Sequence, residues 1–424
     1  MTGFARLTRN QVTTEGLRAW TAWSLSRAFG LAGSYGGLIY GMRGVITTRG
    51  DVNLYFLWSV LFQHGYLPYK TFPIVYPPGI VPALVLPTPS FFVYLGEFLV
   101  AALAVDAAVF ALLRRRGLAW GASAWLVGAV LIGPVFWSRL DVFVAGALVA
   151  AAMEVRSGRS VRAAAWLGVA ASIKVWPLLL VLPLLLRLSR RARWQAAAAG
   201  LAVPGVLTLG VLAIGGGPGL WHAIRDQAGR GLEVESLFAW PIEMARALGL
   251  STVGPVQGLA WQFTGKAATD LGDAATGLLL VGVGFWALRC LRRPAAFGSY
   301  PELALGLSAL IVATGKVLSA QYALWVLAAV ATVIDGVEPR VRYRLAAWSG
   351  FFFLTTQALF PFFYISLLRG GWLGGVPATL HLVATIGLLW SSLSIVRGLP
   401  TAAIAEPGPI PLVQIDSVPE MVTL

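Results

Sequence analysis

The sequence predicts an all-α polytopic membrane protein of about twelve transmembrane helices, with amphipathic helices and loops gathered on one face. Three observations carry this expectation. Of 424 residues, 58% are hydrophobic and only 12% are charged, about half the charged share of a soluble protein; the mean hydropathy is +0.76. Apolar stretches of the length needed to cross a bilayer, about 20 residues, recur from end to end. Arginine runs punctuate these stretches, and they fall on one side if the spans alternate.

The elements follow in order. A polar, basic segment occupies residues 1–24. No short apolar core with a small-residue cleavage site follows it, so no cleaved signal peptide is expected. Spans are then expected at 27–47, 91–113, 118–137, 141–155, 160–174, 175–188, 195–216, 272–289, 301–317, 321–335, 344–367 and 376–396. The fifth and sixth are too short to cross alone and read as half-helices meeting near Lys174 and Pro177. A single transmembrane domain thus covers 25–397, with outer loops at 48–90 and 215–272. The Pro-rich, polar tail 398–424 is expected to be disordered.

Arg6, Arg9, Arg18 and Arg27 precede the first span. Arg114 to Arg116, Arg156, Arg159 and Arg162, then Arg187, Arg190, Arg191 and Arg193 follow later ones. Arg289, Arg292 and Arg293, then Arg340, Arg342 and Arg344 complete the set. The positive-inside rule makes their side cytoplasmic, with both termini. The formal net charge of +14 therefore reads as topology signals and contacts to anionic membrane lipids, not as a nucleic-acid surface. The single cysteine, Cys290, excludes an internal disulfide, and His64, His222 and His381 have no metal-ligand spacing, so no metal or cofactor is expected. No Gly-rich phosphate loop or nucleophile elbow is present.

The opposite side collects acids, bases and aromatics placed singly. The stretch GDVNLYFLWSVLFQHGYLPYKTFPIVYPPG, Gly50 to Gly79, opens on Asp51. Its run Leu54, Tyr55, Leu57, Trp58, Leu61, Phe62 reads as a helix lying in the membrane interface. Asp51 is then either a solvated interfacial acid or a carboxylate where a lipid-borne substrate arrives. Tyr76-Pro77-Pro78-Gly79 reads as a rigid turn that can also hold Tyr76 at a site. Arg139 and Asp141 form a local ion pair or reach into a polar cavity. Lys174, flanked by apolar residues, must face a cavity, a partner or the interface, since leaving it in lipid costs about 3 kcal/mol; a phosphate is a natural partner. DQAGRGLEVES, with Arg230, Glu233 and Glu235, is either a solvated loop or one folded back on the membrane. GKVLSAQYALW brings Lys316, Ser319, Gln321 and Tyr322 between two spans.

These segments, taken with RLDVFVAGALVAAAMEVRSGRSVRAAAWLGVAASIKVWPLLLVLPLLL and GRGLEVESLFAWP, resemble the actinobacterial members of glycosyltransferase family 87. The likeness runs from about Gly50 to Trp325. It implies a bundle of the GT-C fold and an enzyme that uses polyprenyl-phosphate sugars, among which are mannosyltransferases and arabinofuranosyltransferases. It implies an inverting transfer with an aspartate of the first outer loop, here Asp51, as general base. The implied donor is a lipid monophosphate sugar, with mannose the expected sugar, and the acceptor a lipid or glycan. Where the family's pattern has a proline, this chain has Ala320.

The chemistry suits the residues. A carboxylate can take the acceptor's proton late in the step. The leaving phosphate needs pre-organised cations, for which Lys174, Arg139, Arg230 and Lys316 are candidates. Tyr55, Tyr76, Asp141, Glu233, Glu235, Gln321 and Tyr322 are the expected substrate contacts. Two other classes remain: a lipid or polysaccharide flippase, which predicts repeats that are not evident in the sequence, and a catalytically inert scaffold of envelope synthesis.

Overall fold

The computed structural model describes residues 9–35, 50–186, 188–258, 260–292 and 300–398. The described chain is overwhelmingly helical, as the composition predicts. Helix α1 is Arg9–Tyr35, α2 Gly50–Gln63, α3 Val81–Leu84 and α4 Phe91–Arg115. Next come α5 Ala119–Ile132, α6 Asp141–Arg156, α7 Ser160–Ile173, α8 Val181–Leu185 and α9 Arg190–Ala213. The long polar loop holds α10 Gly217–Ala228, strand β1 Leu232–Glu233, α11 Trp240–Ala247, and strands β2 Val256–Gln257 and β3 Trp261–Phe263. The remainder is α12 Lys266–Arg292, α13 Tyr300–Thr314, α14 Ala323–Val333, α15 Pro339–Gln357, α16 Tyr364–Arg369 and α17 Trp372–Arg397.

Six segments among the described residues are long and apolar enough to cross a membrane: Phe91–Arg115, Ala119–Phe136, Arg190–Ala213, Lys266–Arg292, Pro339–Phe362 and Trp372–Arg397. Shorter apolar helices at Ser160–Ile173, Trp176–Leu185, Tyr300–Thr314 and Ala320–Gly336 pack among them. Every residue of α14 is buried, which makes it the central helix. By contrast α9 and α12 expose Leu201, Val206, Leu209, Leu280, Val281 and Phe285, as helices do whose outer surface meets lipid. Close helix contact rests on small residues. A Cβ on Gly168 of α7 would lie 2.3 Å from the Gly200 carbonyl of α9, so only glycine allows this approach.

Three expectations need revision. The first helix starts at Arg9, not near residue 27, and runs through residue 25 without a break; positions 36–47 of the expected span, Arg6, Arg187, Arg293 and the tail beyond 398 lie outside the described residues. Arg27 is not a loop arginine. It is 2% exposed, and its guanidinium forms two hydrogen bonds of 2.7 Å to Asp106 of α4. Trp125 Nε1 donates to the same carboxylate at 2.7 Å. Finally, the expected span 344–367 is interrupted: Pro361 has no N–H to donate, and Phe360 before it leaves helical geometry (φ −131°, ψ 119°).

The expected break near Lys174 and Pro177 is present. Helix α7 ends at Ile173, Lys174 is extended, and a 3-10 turn, Trp176–Leu180, leads into α8.

The loops at the two ends of the bundle differ. At one end Arg116 donates to Ser157 and Arg156 to the Thr332 carbonyl. Asp335 there accepts the free N–H groups of Trp120 and Gly121 at the start of α5. Helices α5, α6 and α14 connect this arginine-rich end with the end that holds Arg139, Asp141 and Gln321.

Candidate active site

The site is built where helices start, stop or break. Asp51 occupies the first turn of α2, where the helix N-terminus favours a carboxylate. Arg139 lies in the turn between Phe136 and α6, and Lys174 in the break after α7. Gln321 and Tyr322 form the 3-10 turn that opens α14. Arg230 to Ser236 connects α10 to the next helical turn.

The loop carrying Tyr76 is fixed from three sides. Gly79 is pressed on the end of α7: a Cβ there would lie 2.4 Å from the Ser172 backbone. The Tyr69 hydroxyl donates to the Tyr76 carbonyl at 2.5 Å. Gln227 Nε2 donates to the Val75 carbonyl at 3.0 Å. The prolines therefore do form a rigid turn, and that turn sets Tyr76 beside Lys174.

These elements enclose a cavity of about 430 Å³. Of the residues expected from the sequence, Asp51, Tyr76, Arg139, Lys174, Arg230, Glu235, Gln321 and Tyr322 line it. Tyr55, Asp141 and Glu233 stand one layer behind. The Tyr55 hydroxyl donates to that of Tyr76 at 3.1 Å. Asp141 Oδ1 accepts the Trp325 indole N–H at 2.8 Å, and its Oδ2 lies 4.0 Å from the Lys174 ammonium. Glu233 pairs with Arg230. Lys316 is not brought to the cavity wall: its ammonium donates to the Ala228 carbonyl at 3.4 Å, and its own carbonyl accepts the Glu233 N–H at 3.0 Å, so this residue braces the loop.

Two charged clusters line the cavity, and both touch Tyr76. In the first, Arg139 Nε contacts Asp51 Oδ2 at 3.0 Å, with the Arg139 side chain 7% and that of Asp51 31% exposed. The Tyr76 hydroxyl lies 3.4 Å from the same oxygen. Arg139 also reaches Gln321 Oε1 at 3.3 Å. Among the described residues both Asp51 contacts fall on Oδ2, which leaves Oδ1 for a ligand. In the second, the Lys174 ammonium sits 4.6 Å from the Tyr76 ring and 5.8 Å from the Tyr322 ring. It has no hydrogen-bond acceptor among the described residues, so its three donors can serve an anion.

The segment carrying Glu233 and Glu235 is folded back, not solvated. Val234 donates to the Trp261 carbonyl on one side, and Ser236 Oγ donates to the Gly315 carbonyl on the other. The backbone of Leu318 and of Ala320 lies beside the two carboxyls and favours their ionised forms. Burial pushes Glu233 up to about 7 against the pull of Arg230. Burial, then the charge of Glu233, pushes Glu235 up to about 8. Glu243 of α11 is also raised by burial, against the pull of Arg246.

Phe360, Tyr364 and Trp261 also line the cavity and were not anticipated. The signal for the first two was present: Pro361 interrupts an apolar run close to its end. Trp261 reaches the wall through β3, which pairs with both β1 and β2, and no local pattern announces that pairing.

A cavity lined by three cations, one accessible carboxylate and several aromatic rings can hold a phosphate beside a polar reactant and accept a proton. The sequence model of glycosyltransferase family 87 matches residues 73–314, which includes Tyr76, Arg139, Lys174, Arg230, Glu233 and Glu235 but not Asp51, Gln321 or Tyr322. No curated protein matches the chain.

Proposed function

We propose, from the premise that this chain belongs to glycosyltransferase family 87, that it transfers a sugar with inversion from a polyprenyl phosphate to a lipid or glycan acceptor at the extracytoplasmic face, with Asp51 as general base. Mannose is the sugar that the resemblance favours. The observation that carries the reading is the single cavity lined together by Asp51, Lys174, Arg139 and Arg230.

In this reading the acceptor hydroxyl oxygen attacks the anomeric carbon as the bond from that carbon to the phosphate oxygen breaks. The hydroxyl proton goes to Asp51 Oδ1. The polyprenyl monophosphate leaves with the bonding electron pair, and its charge is met by Lys174, Arg139 and Arg230. Arg139 now contacts Asp51; a bound phosphate would compete for it and loosen its hold on the base.

The test is Asp51→Asn, purified and assayed with polyprenyl phosphates bearing mannose or arabinofuranose. Asparagine keeps the shape of the side chain and cannot take the proton. Donor binding should persist while transfer falls about 10²–10⁴-fold. Transfer within threefold of wild type would remove Asp51 from this role.

The facing of the cavity is tested separately. Leu250, 77% exposed in the loop after α11, is replaced by cysteine in a Cys290→Ala background. A membrane-impermeant maleimide should label it in intact cells; labelling only after the cells are opened would place the cavity on the cytoplasmic side.

A further inference from the structure

The main cavity has a hidden neighbour. A space of about 10 Å³, room for about one water, is lined by Glu235, Ser319, Tyr322, Thr356 and His381 among apolar side chains. Glu235 belongs to the walls of both spaces. Its carboxyl is buried, and Oε2 has no hydrogen-bond partner among the described residues. No described cation forms an ion pair with it, since Arg230 is taken by Glu233 and Arg139 by Asp51.

Such an atom is costly to leave unmatched, and the cost disappears when a ligand supplies the partner. The type of partner follows from charge. A phosphate has a better contact in Lys174, whose donors have no hydrogen-bond acceptor among the described residues. The groups coupled electrostatically to Glu235 are Glu233, Arg139 and Asp51, and also Glu243, Tyr322 and Tyr364, with His381 and Tyr322 sharing the small space. Held protonated up to about 8 by burial, the carboxyl offers one O–H donor beside acceptor oxygens. That is the complement of an alcohol, which also donates and accepts.

We infer that Glu235 hydrogen-bonds a hydroxyl of the transferred sugar and so helps to decide which sugar the cavity accepts. The inference rests on the transfer reading above and adds a recognition residue to it. The sugar ring then lies in the main cavity against Glu235, with Lys174 toward its phosphate and Asp51 toward the incoming hydroxyl.

The test uses the full-length protein, the polyprenyl-phosphate sugar it transfers best among mannose, glucose and arabinofuranose, and the monodeoxy analogues of that donor. Glu235→Ala should lower kcat/KM for the complete donor about tenfold. For one deoxy analogue, and only one, wild type and Glu235→Ala should be equally slow. Glu235→Gln, which keeps the shape and a neutral donor, should retain more activity than the alanine variant. Wild-type activity should decline as pH rises through about 8, and the glutamine variant should lack that decline. An alanine penalty equal for every deoxy donor, or none at all, overturns the inference while leaving Asp51 in its role. Failure of the wild type to use any of these donors would instead overturn the transfer reading, and this inference with it.

Discussion

Lys174 shows how one residue can be read from cost alone. A lysine among valines and leucines must find a partner, and it finds two aromatic faces and a carboxylate at 4.0 Å. None of these saturates its donors, which distinguishes it from Arg139, held by Asp51, Ser138 and Gln321. Lys174→Ala should therefore weaken donor binding about tenfold or more, the worth of a charge-assisted hydrogen bond, and lower transfer in proportion. Lys174→Arg should restore little, because a planar fork does not fit where a compact ammonium sits between two rings. Donor titrations of purified variants decide this, and a wild-type affinity in the alanine variant would move the phosphate elsewhere in the cavity. Asp51, Lys174 and Arg230 were legible as candidates because each is a charge in a greasy or turn-bounded context. Asp106 was not: it lies inside an apolar run whose pattern it does not disturb, and its partner Arg27 comes from a helix that composition marks only weakly.

Among the elements, the most informative are the shortest. Apart from the first helix, which starts at Arg9 and not near residue 27, the long helices could be placed from hydropathy, since burying or lipid-exposing about 20 apolar residues leaves little choice. The two polar segments 226–236 and 315–325 were legible as unusual, but their mutual packing was not, because it depends on backbone-to-side-chain bonds across 80 or so positions of chain. Their energetics have a defined pH sense. The carboxyls of Glu233 and Glu235 release protons near 7 and 8 in the fold and near 4.3 when unfolded. Protonation therefore favours the folded state: their contribution is complete below about 4.3 and is lost as pH rises through 7 and 8.

At the scale of the whole molecule, polarity is sorted by end. Arginines 116, 156 and 342 bind loop carbonyls and a serine hydroxyl at one end of the bundle, while every residue lining the cavity sits at the other. Helix α14, buried throughout, joins the two, so the cavity is anchored to a fully buried helix. Sorting of this kind follows from insertion rules and could be seen in the order of the charges. The single-body packing around α14 could not, because a run of alanines, leucines and valines reads the same whether its neighbours are lipid or other helices.

The Arg27–Asp106 pair also bears on how the chain enters the membrane during synthesis. Each partner alone would carry an uncompensated charge into hydrocarbon, and removing either from the finished pair costs about 3–5 kcal/mol. The first helix is made some 80 residues before its counter-charge emerges. It should therefore wait at the bilayer surface and move in together with α4, so that biogenesis departs from the order of translation. Membrane-targeted chains ending at residue 90 should be extracted by alkaline carbonate, whereas chains ending beyond Trp125, which complete the network, should resist. Firm retention of the shorter chain would mean that the first helix inserts unaided and that the pair forms only afterwards.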